Sequence, residues 1–151
     1  KTVVYVNQAD QSEHMALVKG NVADNGPVLV RMHAFNMFDD IYSADKTLEL
    51  HKAMEMIAQE GRGAVVMLRN PSRTFISDRI QQEYQGPSVS FRGYGIGAQI
   101  LLDLGIHEMI VLTNTEQTLV GLEAYGLSIT ERRPIKIGKD EPIPVRDKFY
   151  E

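Results

Sequence analysis

The sequence predicts an α/β domain built on a mixed sheet covered by helices. Three observations predict it. Helix-like and strand-like segments take turns along the chain, which argues for helices layered on a sheet. The run Ala64-Val65-Val66-Met67-Leu68, flanked by Gly63 and Pro71, reads as a buried strand. Leu50, Met54, Ile57 and Ala58 recur at three- and four-residue spacing, the stripe of a helix with one covered face.

Each element follows in order. Val3 to Val6 and Ala16 to Lys19 read as short strands around a polar turn. Val28 to His33, entered through Pro27, is a stronger strand. Thr47 to Glu60 is the striped helix, and Gly61 stands where a C-terminal cap belongs. After the buried strand, Ile76 to Tyr84 forms a short helix. Ile96 to Leu104 forms another, ended by Gly105. Met109 to Leu112 is a strand, and Thr113-Asn114 then caps a helix from Glu116 to Tyr125. Gly126 closes that helix, and Leu127 to Arg132 is the last strand. Beyond Pro134 the chain is rich in Pro, Lys and Asp. The expected division is a domain over 1–134 and a loose tail over 135–151.

Composition narrows the function classes. At 151 residues the chain is one domain's worth, long enough to bury a core. Hydrophobic residues make up 43% and charged residues 24%, as in soluble globular proteins. No apolar run reaches the length of a membrane-spanning helix. The net charge is −4 and no basic stripe points to nucleic acid. The absence of cysteine excludes disulfides and thiolate metal sites. A cytoplasmic location is the expectation. The opening Lys1-Thr2-Val3-Val4-Tyr5 has neither an initiator Met nor a signal peptide's apolar stretch, so the chain reads as a piece of a longer one.

The residues that could carry chemistry are mostly cationic. Arg69 and Arg73 follow the buried strand, and Arg92 precedes a Gly-rich helix start. Loops at the carboxyl ends of α/β strands are where ligands bind, and several arginines there can hold a phosphate. Solvated surface arginine is the other reading. Gly93-Tyr94-Gly95-Ile96-Gly97 either cradles an anion or lets the helix pack closely. Thr113-Asn114 either meets a phosphate or caps a helix. Asp39 and Asp40 read as a polar turn or a hard-cation site. His33 is a metal ligand or a structural histidine, and His51 falls on a solvated helix face. These residues by themselves lead to an α/β domain with a candidate anion site.

Longer stretches carry a resemblance. Phe91-Arg92-Gly93-Tyr94-Gly95-Ile96-Gly97-Ala98-Gln99-Ile100-Leu101-Leu102-Asp103-Leu104-Gly105 resembles the D-L-R-D-Y-G-I-G-A-Q-I-L-x-D-L-G of GTP cyclohydrolase II. Leu112-Thr113-Asn114 resembles that family's L-L-T-N-N-P, and Tyr125 to Arg132 its Y-G-L-x-I-x-E-R. Glu13 to Gly20 resembles E-H-V-A-L-V-K-G, Pro27 to His33 resembles P-V-L-V-R-V-H, and Glu60 to Gly63 reads E-G-R-G. The similarity runs in order from about Tyr5 to Pro134.

The resemblance implies a homodimeric α/β domain and a specific chemistry. The family opens the guanine ring of GTP, releasing formate and pyrophosphate on the way to riboflavin. A zinc ion on three cysteines activates the water. An arginine attacks the α-phosphate, helped by an aspartate and a tyrosine. By that pattern the nucleophile position is Arg92 and the tyrosine Tyr84, while Arg31, His33, Arg73 and Thr113 are the retained substrate or anion positions. The three zinc cysteines fall on Asn36, Asp45 and Thr47, so no metal is expected there. A rebuilt shell of His33, Asp45 and His51 is the alternative. The aspartate falls on Ser90 and a nucleotide-contacting lysine on Thr118. The R-Q-E-G-R loop becomes Arg69-Asn70-Pro71-Ser72-Arg73, and a long substrate loop shrinks to the residues between Tyr84 and Arg92.

Two functions are therefore expected. One is a catalytically degenerate cyclohydrolase-like domain, structural or regulatory, fused behind a 3,4-dihydroxy-2-butanone 4-phosphate synthase domain. The parent chain would then be a magnesium-dependent lyase, and this domain would keep a phosphate or nucleotide site without a cofactor of its own. The other is an active GTP cyclohydrolase II with a rebuilt metal site.

Overall fold

The structure, a computed structural model, describes residues 1–23, 26–85, 92–114 and 122–137. Its strands are β1 (Thr2–Val6), β2 (Glu13–Lys19), β3 (Val28–Phe35), β4 (Gly63–Arg69), β5 (Glu108–Leu112) and β6 (Ser128–Arg133). They form one sheet in the order β1-β2-β4-β3-β5-β6. The β1–β2 hairpin and the β2–β4 pair are antiparallel, whereas β4, β3, β5 and β6 run parallel. The helices are α1 (Met37–Tyr42), α2 (Ala44–Glu60), α3 (Phe75–Gln85) and α4 (Arg92–Asp103), with a 3-10 turn over Glu123–Tyr125. The expected α/β domain with a mixed, helix-covered sheet is the one observed.

The pleat sorts the core into two layers. Val28 and Val30 of β3, Ala64, Val66 and Leu68 of β4, and Met109 and Val111 of β5 face α4, which contributes Ala98, Ile100 and Leu101. Leu29, Val65 and Leu112 face the other way, onto Ala53 and Ile57 of α2. The parallel strands are therefore apolar on both faces, which is why Ala64–Leu68 carries no alternation.

Two expectations change. The stripe on α2 is rotated: Leu50, Ala53, Met56 and Ile57 meet the sheet, while Met54 is 41% exposed and Ala58 is exposed. A helix rich in Met and Ala offers two overlapping stripes, and its docking geometry selects one. Asp39 and Asp40, read as a polar turn, lie in α1. There the Asp40 N–H donates to the Asn36 carbonyl at 2.8 Å, and Asp40 Oδ2 accepts the Asn36 N–H at 2.9 Å, which makes Asn36 the cap. The start of the helix that Asn114 is expected to cap lies outside the described residues. The Asn114 side chain holds the backbone of Ile135, accepting that N–H at 2.8 Å and donating to that carbonyl at 3.0 Å. Ile135 is 3% exposed, so the chain is still part of the core just past Pro134. Most of the helix expected over Glu116 to Tyr125, and most of the tail, lie outside the described residues; Glu123–Tyr125 itself is a 3-10 turn.

The glycines of Gly93 to Gly97 answer an open question in part. A Cβ on Gly95 would stand 2.7 Å from the Tyr125 hydroxyl, and one on Gly97 would collide with Met32. Both contacts are with the far ends of flexible side chains, so close packing favours glycine there without requiring it. Gly61 and Gly105 end their helices at φ +80° and +79°, as expected for left-handed caps.

Gly63 opens β4 under a firmer constraint. A Cβ there would lie 2.7 Å from the Leu29 carbonyl oxygen and 2.8 Å from Ile57 Cγ2. Gly63→Ala should therefore destabilise the fold by about 1–3 kcal/mol through overpacking. The expected result is a lower urea midpoint with unchanged m-value; an unchanged midpoint would show that α2 yields freely.

Candidate functional site

The connection from β3 leads through α1 and α2 to β4 on one side, and the connection from β5 leads to β6 on the other. The two strands are neighbours in the sheet, so the order of connections reverses between them. Such switch points are where open α/β sheets bind ligands.

Arg31, on the α2 side of β3, enters this region from below. Its Nη1 donates to the Leu112 carbonyl at the end of β5 at 3.0 Å, and its Nη2 donates to Glu49 Oε2 of α2 at 3.1 Å. Both side chains are nearly buried, at 11% and 13% exposure. Asn114 Nδ2 donates to the other Glu49 oxygen at 3.3 Å. Burial pulls the guanidinium below its usual pKa, and the Glu49 charge opposes that shift. The sequence reading missed Glu49: on a helix its position says only that it lies one turn from Ala53.

His33, two residues on, is 5% exposed, and its Nε2 lies 2.9 Å from Asp40 Oδ1. Thr113 follows β5, and its N–H donates to the Arg133 carbonyl at 3.1 Å, so that donor belongs to the β5–β6 ladder and not to a helix terminus. Arg31, His33 and Thr113 thus come from the two strands at this switch point or from the residue just past them. Arg69 ends β4, and Arg73 is exposed in the following loop. Tyr84 is near the end of α3 and Arg92 is the first residue of α4; their side chains, with Ser90 and Thr118, lie outside the described residues. His51 is exposed, as expected.

His14, inside the Glu13 to Gly20 stretch, is with His33 one of two buried histidines among the described residues, at 3% exposure. Its alternation with Ala16 along β2 was the available signal. Nδ1 accepts the Arg69 N–H at 3.1 Å, which leaves the ring proton on Nε2, 3.0 Å from Ser12 Oγ. Ser12 Oγ donates in turn to Asp10 Oδ1 at 2.6 Å. Asp10, Ser12 and His14 are not a nucleophilic triad, because the basic nitrogen is already occupied. Burial pushes the imidazole pKa down, Asp10 opposes this and Arg69 adds to it.

On the α4 side, a cavity of about 510 Å³ is lined by Tyr5, His14, Gln99 and Asp103 among others. Its polar tips bond one another: the Tyr5 hydroxyl donates to Asp103 Oδ2 at 2.9 Å. Burial and that carboxylate push the Tyr5 pKa up to about 12.

A sequence profile described as GTP cyclohydrolase II matches residues 1–134. The chain belongs to the GTP cyclohydrolase II family. It is similar to the riboflavin biosynthesis protein RibBA of Bacillus velezensis, 40% identical over 91% of this chain and 39% of that one. It is also similar to the RibBA of Chlorobium phaeovibrioides, 37% identical over all of this chain and 40% of that one. The monofunctional riboflavin biosynthesis protein RIBA 2 of Arabidopsis thaliana is 43% identical over 83% of this chain and 29% of that one. The chain therefore spans less than half the length of these relatives.

The family's zinc positions can now be tested against this cyclohydrolase domain. Asn36 caps α1, Thr47 Oγ1 donates to the Asp40 carbonyl at 2.7 Å, and Asp45 is exposed in the first turn of α2. That donor set does not fit zinc, since amide and hydroxyl oxygens bind it weakly beside thiolate or imidazole. Among the described residues no three His, Asp or Glu gather to hold a metal, the combination of His33, Asp45 and His51 included.

Two predictions follow from this chemistry. Glu49→Ala leaves the Arg31 guanidinium buried without its carboxylate and should cost about 3 kcal/mol. The double variant Arg31→Met/Glu49→Leu should cost clearly less than the sum of Arg31→Met and Glu49→Leu made singly; a loss equal to that sum would mean that the pair is not coupled. For His14, the folded pKa lies below the unfolded value of about 6.5. Its stabilisation is therefore complete above that value and is lost as pH falls through the folded one. Melting temperatures from pH 7.5 to 5 should decline less in His14→Gln than in the parent chain.

Proposed function

We propose that this chain is a catalytically degenerate GTP cyclohydrolase II domain with a structural or regulatory role beside a 3,4-dihydroxy-2-butanone 4-phosphate synthase domain. The donor chemistry at Asn36, Asp45 and Thr47 is the observation that carries the reading. Without metal activation the attacking water keeps a pKa of about 15.7 and is a poor nucleophile at neutral pH. The relatives are more than twice as long as this chain, which leaves room for a second domain. A homodimer and a cytoplasmic location belong to the same proposal. The second reading, an active hydrolase with a rebuilt metal site, draws support from the plant relative named for a single function in riboflavin biosynthesis.

Formate release and metal content decide between the two. The purified protein should hold no stoichiometric zinc and release no formate from GTP above a no-enzyme control. Release that a chelator abolishes would establish the hydrolase instead.

A residual anion site is part of the proposal. Arg31 already has Glu49 as a counter-ion, so the cations proposed for a ligand are Arg73 and Arg92. Phosphate, pyrophosphate or GTP bound to the native state must raise the melting temperature as ligand concentration rises. Arg92→Ala and Arg73→Ala should each lose most of that shift, and Arg31→Lys should keep it. No shift at millimolar ligand would remove the anion site from the proposal.

A further inference from the structure

The two edges of the sheet are built differently. At one edge β6 carries Glu131, Arg132 and Arg133, and a register shift at Met109/Ile110 leaves Thr130 as a bulge. Charges and bulges are the devices that keep edge strands from pairing with other chains. At the other edge β1 reads Thr2-Val3-Val4-Tyr5-Val6, with no charge, no proline and an unbroken register. Val4 is 60% exposed and Val6 53%.

The hydrogen bonds show which peptide groups β1 leaves open. Lys1 and Val18 exchange both backbone bonds, at 2.9 and 2.8 Å, and the Asn7 N–H donates to the Ser12 carbonyl at 2.8 Å. Antiparallel ladders alternate, so Lys1, Val3, Tyr5 and Asn7 turn their peptide groups toward β2. Thr2, Val4 and Val6 turn theirs outward.

We propose that the β1 edge pairs with β1 of a second copy of this chain, antiparallel about a two-fold axis at Val4. In this register Val4 faces Val4 of the partner subunit, and Thr2 faces Val6 of the partner subunit. Every outward N–H then meets an outward carbonyl, because each of these pairs exchanges two bonds. A slip of one residue would set outward groups against inward ones and lose the ladder. The register also has charge complementarity, since it brings the Lys1 ammonium of each copy to the turn of the other that carries Asp10. Self-pairing through β1 is closed: it consumes the permissive edge of both copies and, among the described residues, leaves the charged β6 edges outside, so it stops at two chains. The inference rests on the homodimer proposed above only for the fact of pairing, and adds its surface and register.

A pair of five-residue strands is a small contact, so the association should depend on concentration. Sedimentation from micromolar to millimolar chain should show monomer passing to dimer. Val4→Pro removes one outward N–H without touching the β1–β2 ladder, and Val4→Lys sets two cations face to face. Each should raise the dimer dissociation constant at least tenfold with an unchanged far-UV spectrum. A dimer that persists unchanged in both variants overturns this surface but leaves the homodimer standing. A parent chain that stays monomeric throughout overturns both. Should the variants misfold, the absence of native cysteine allows a second test. Val4→Cys should cross-link to itself in oxidised glutathione, because facing positions lie within disulfide reach, whereas Glu131→Cys on the other edge should not. Equal cross-linking of the two, or capture of Val4→Cys only by a synthase domain supplied in trans, overturns the self-pairing.

Discussion

The engagement of the Arg31 guanidinium is the interaction on which the architecture at the carboxyl ends of β3 and β5 depends. A charge so nearly buried is tolerable only with matched partners, and Arg31 draws them from two other elements: the Leu112 carbonyl of β5 and the Glu49 carboxylate of α2. Glu49 then reaches Asn114, and Asn114 holds Ile135, so one network joins β3, β5, α2 and the chain beyond β6. Placing Glu49 against Arg31 also places Ala53 and Ile57 on Leu29 and Val65. The ion pair and the apolar stripe therefore agree on one rotation of α2, and that agreement turns Met54 out to solvent.

The same network bears on function. The β3/β5 switch point is where an α/β sheet offers a ligand site, but the nearly buried Arg31 there has its counter-ion within the fold. His33 is held by Asp40 and His14 by the Arg69 N–H and Ser12. The basic groups nearest the strand ends are thus engaged in structural hydrogen bonds. Membership of the GTP cyclohydrolase II family and a donor set unsuited to zinc meet in this region, which is why the proposed role is structural and the proposed ligand only an anion.

The two faces of the sheet differ in how polar they are at the carboxyl ends of β3 and β5. Toward α4 the layer is apolar, and Gly97 lies against the end of the Met32 side chain. Toward α2 the apolar layer gives way to ionic and amide groups at the carboxyl ends of the strands. The division follows from the pleat: along β3, Val28 and Val30 point to one side, while Leu29 and Arg31 point to the other.

Local signals were enough for the strands, for three of the helices and for the glycine caps, because each is encoded by a short pattern of burial and a terminator. The sequence by itself also determined the family, since ordered motifs span nearly the whole chain, and it determined the loss of cysteine at the zinc positions. Helix α1 was not legible, because its six residues depend on the Asn36–Asp40 cap rather than on periodicity. Nor was the engagement of Arg31 by Glu49, eighteen residues away, or of Asn114 by Ile135, twenty-one residues away. Only the tertiary structure could decide these partners. Charge and hydrogen-bonding capacity are written in the residue type, but which donor a buried acceptor meets depends on how strands and helices are brought together across the sheet.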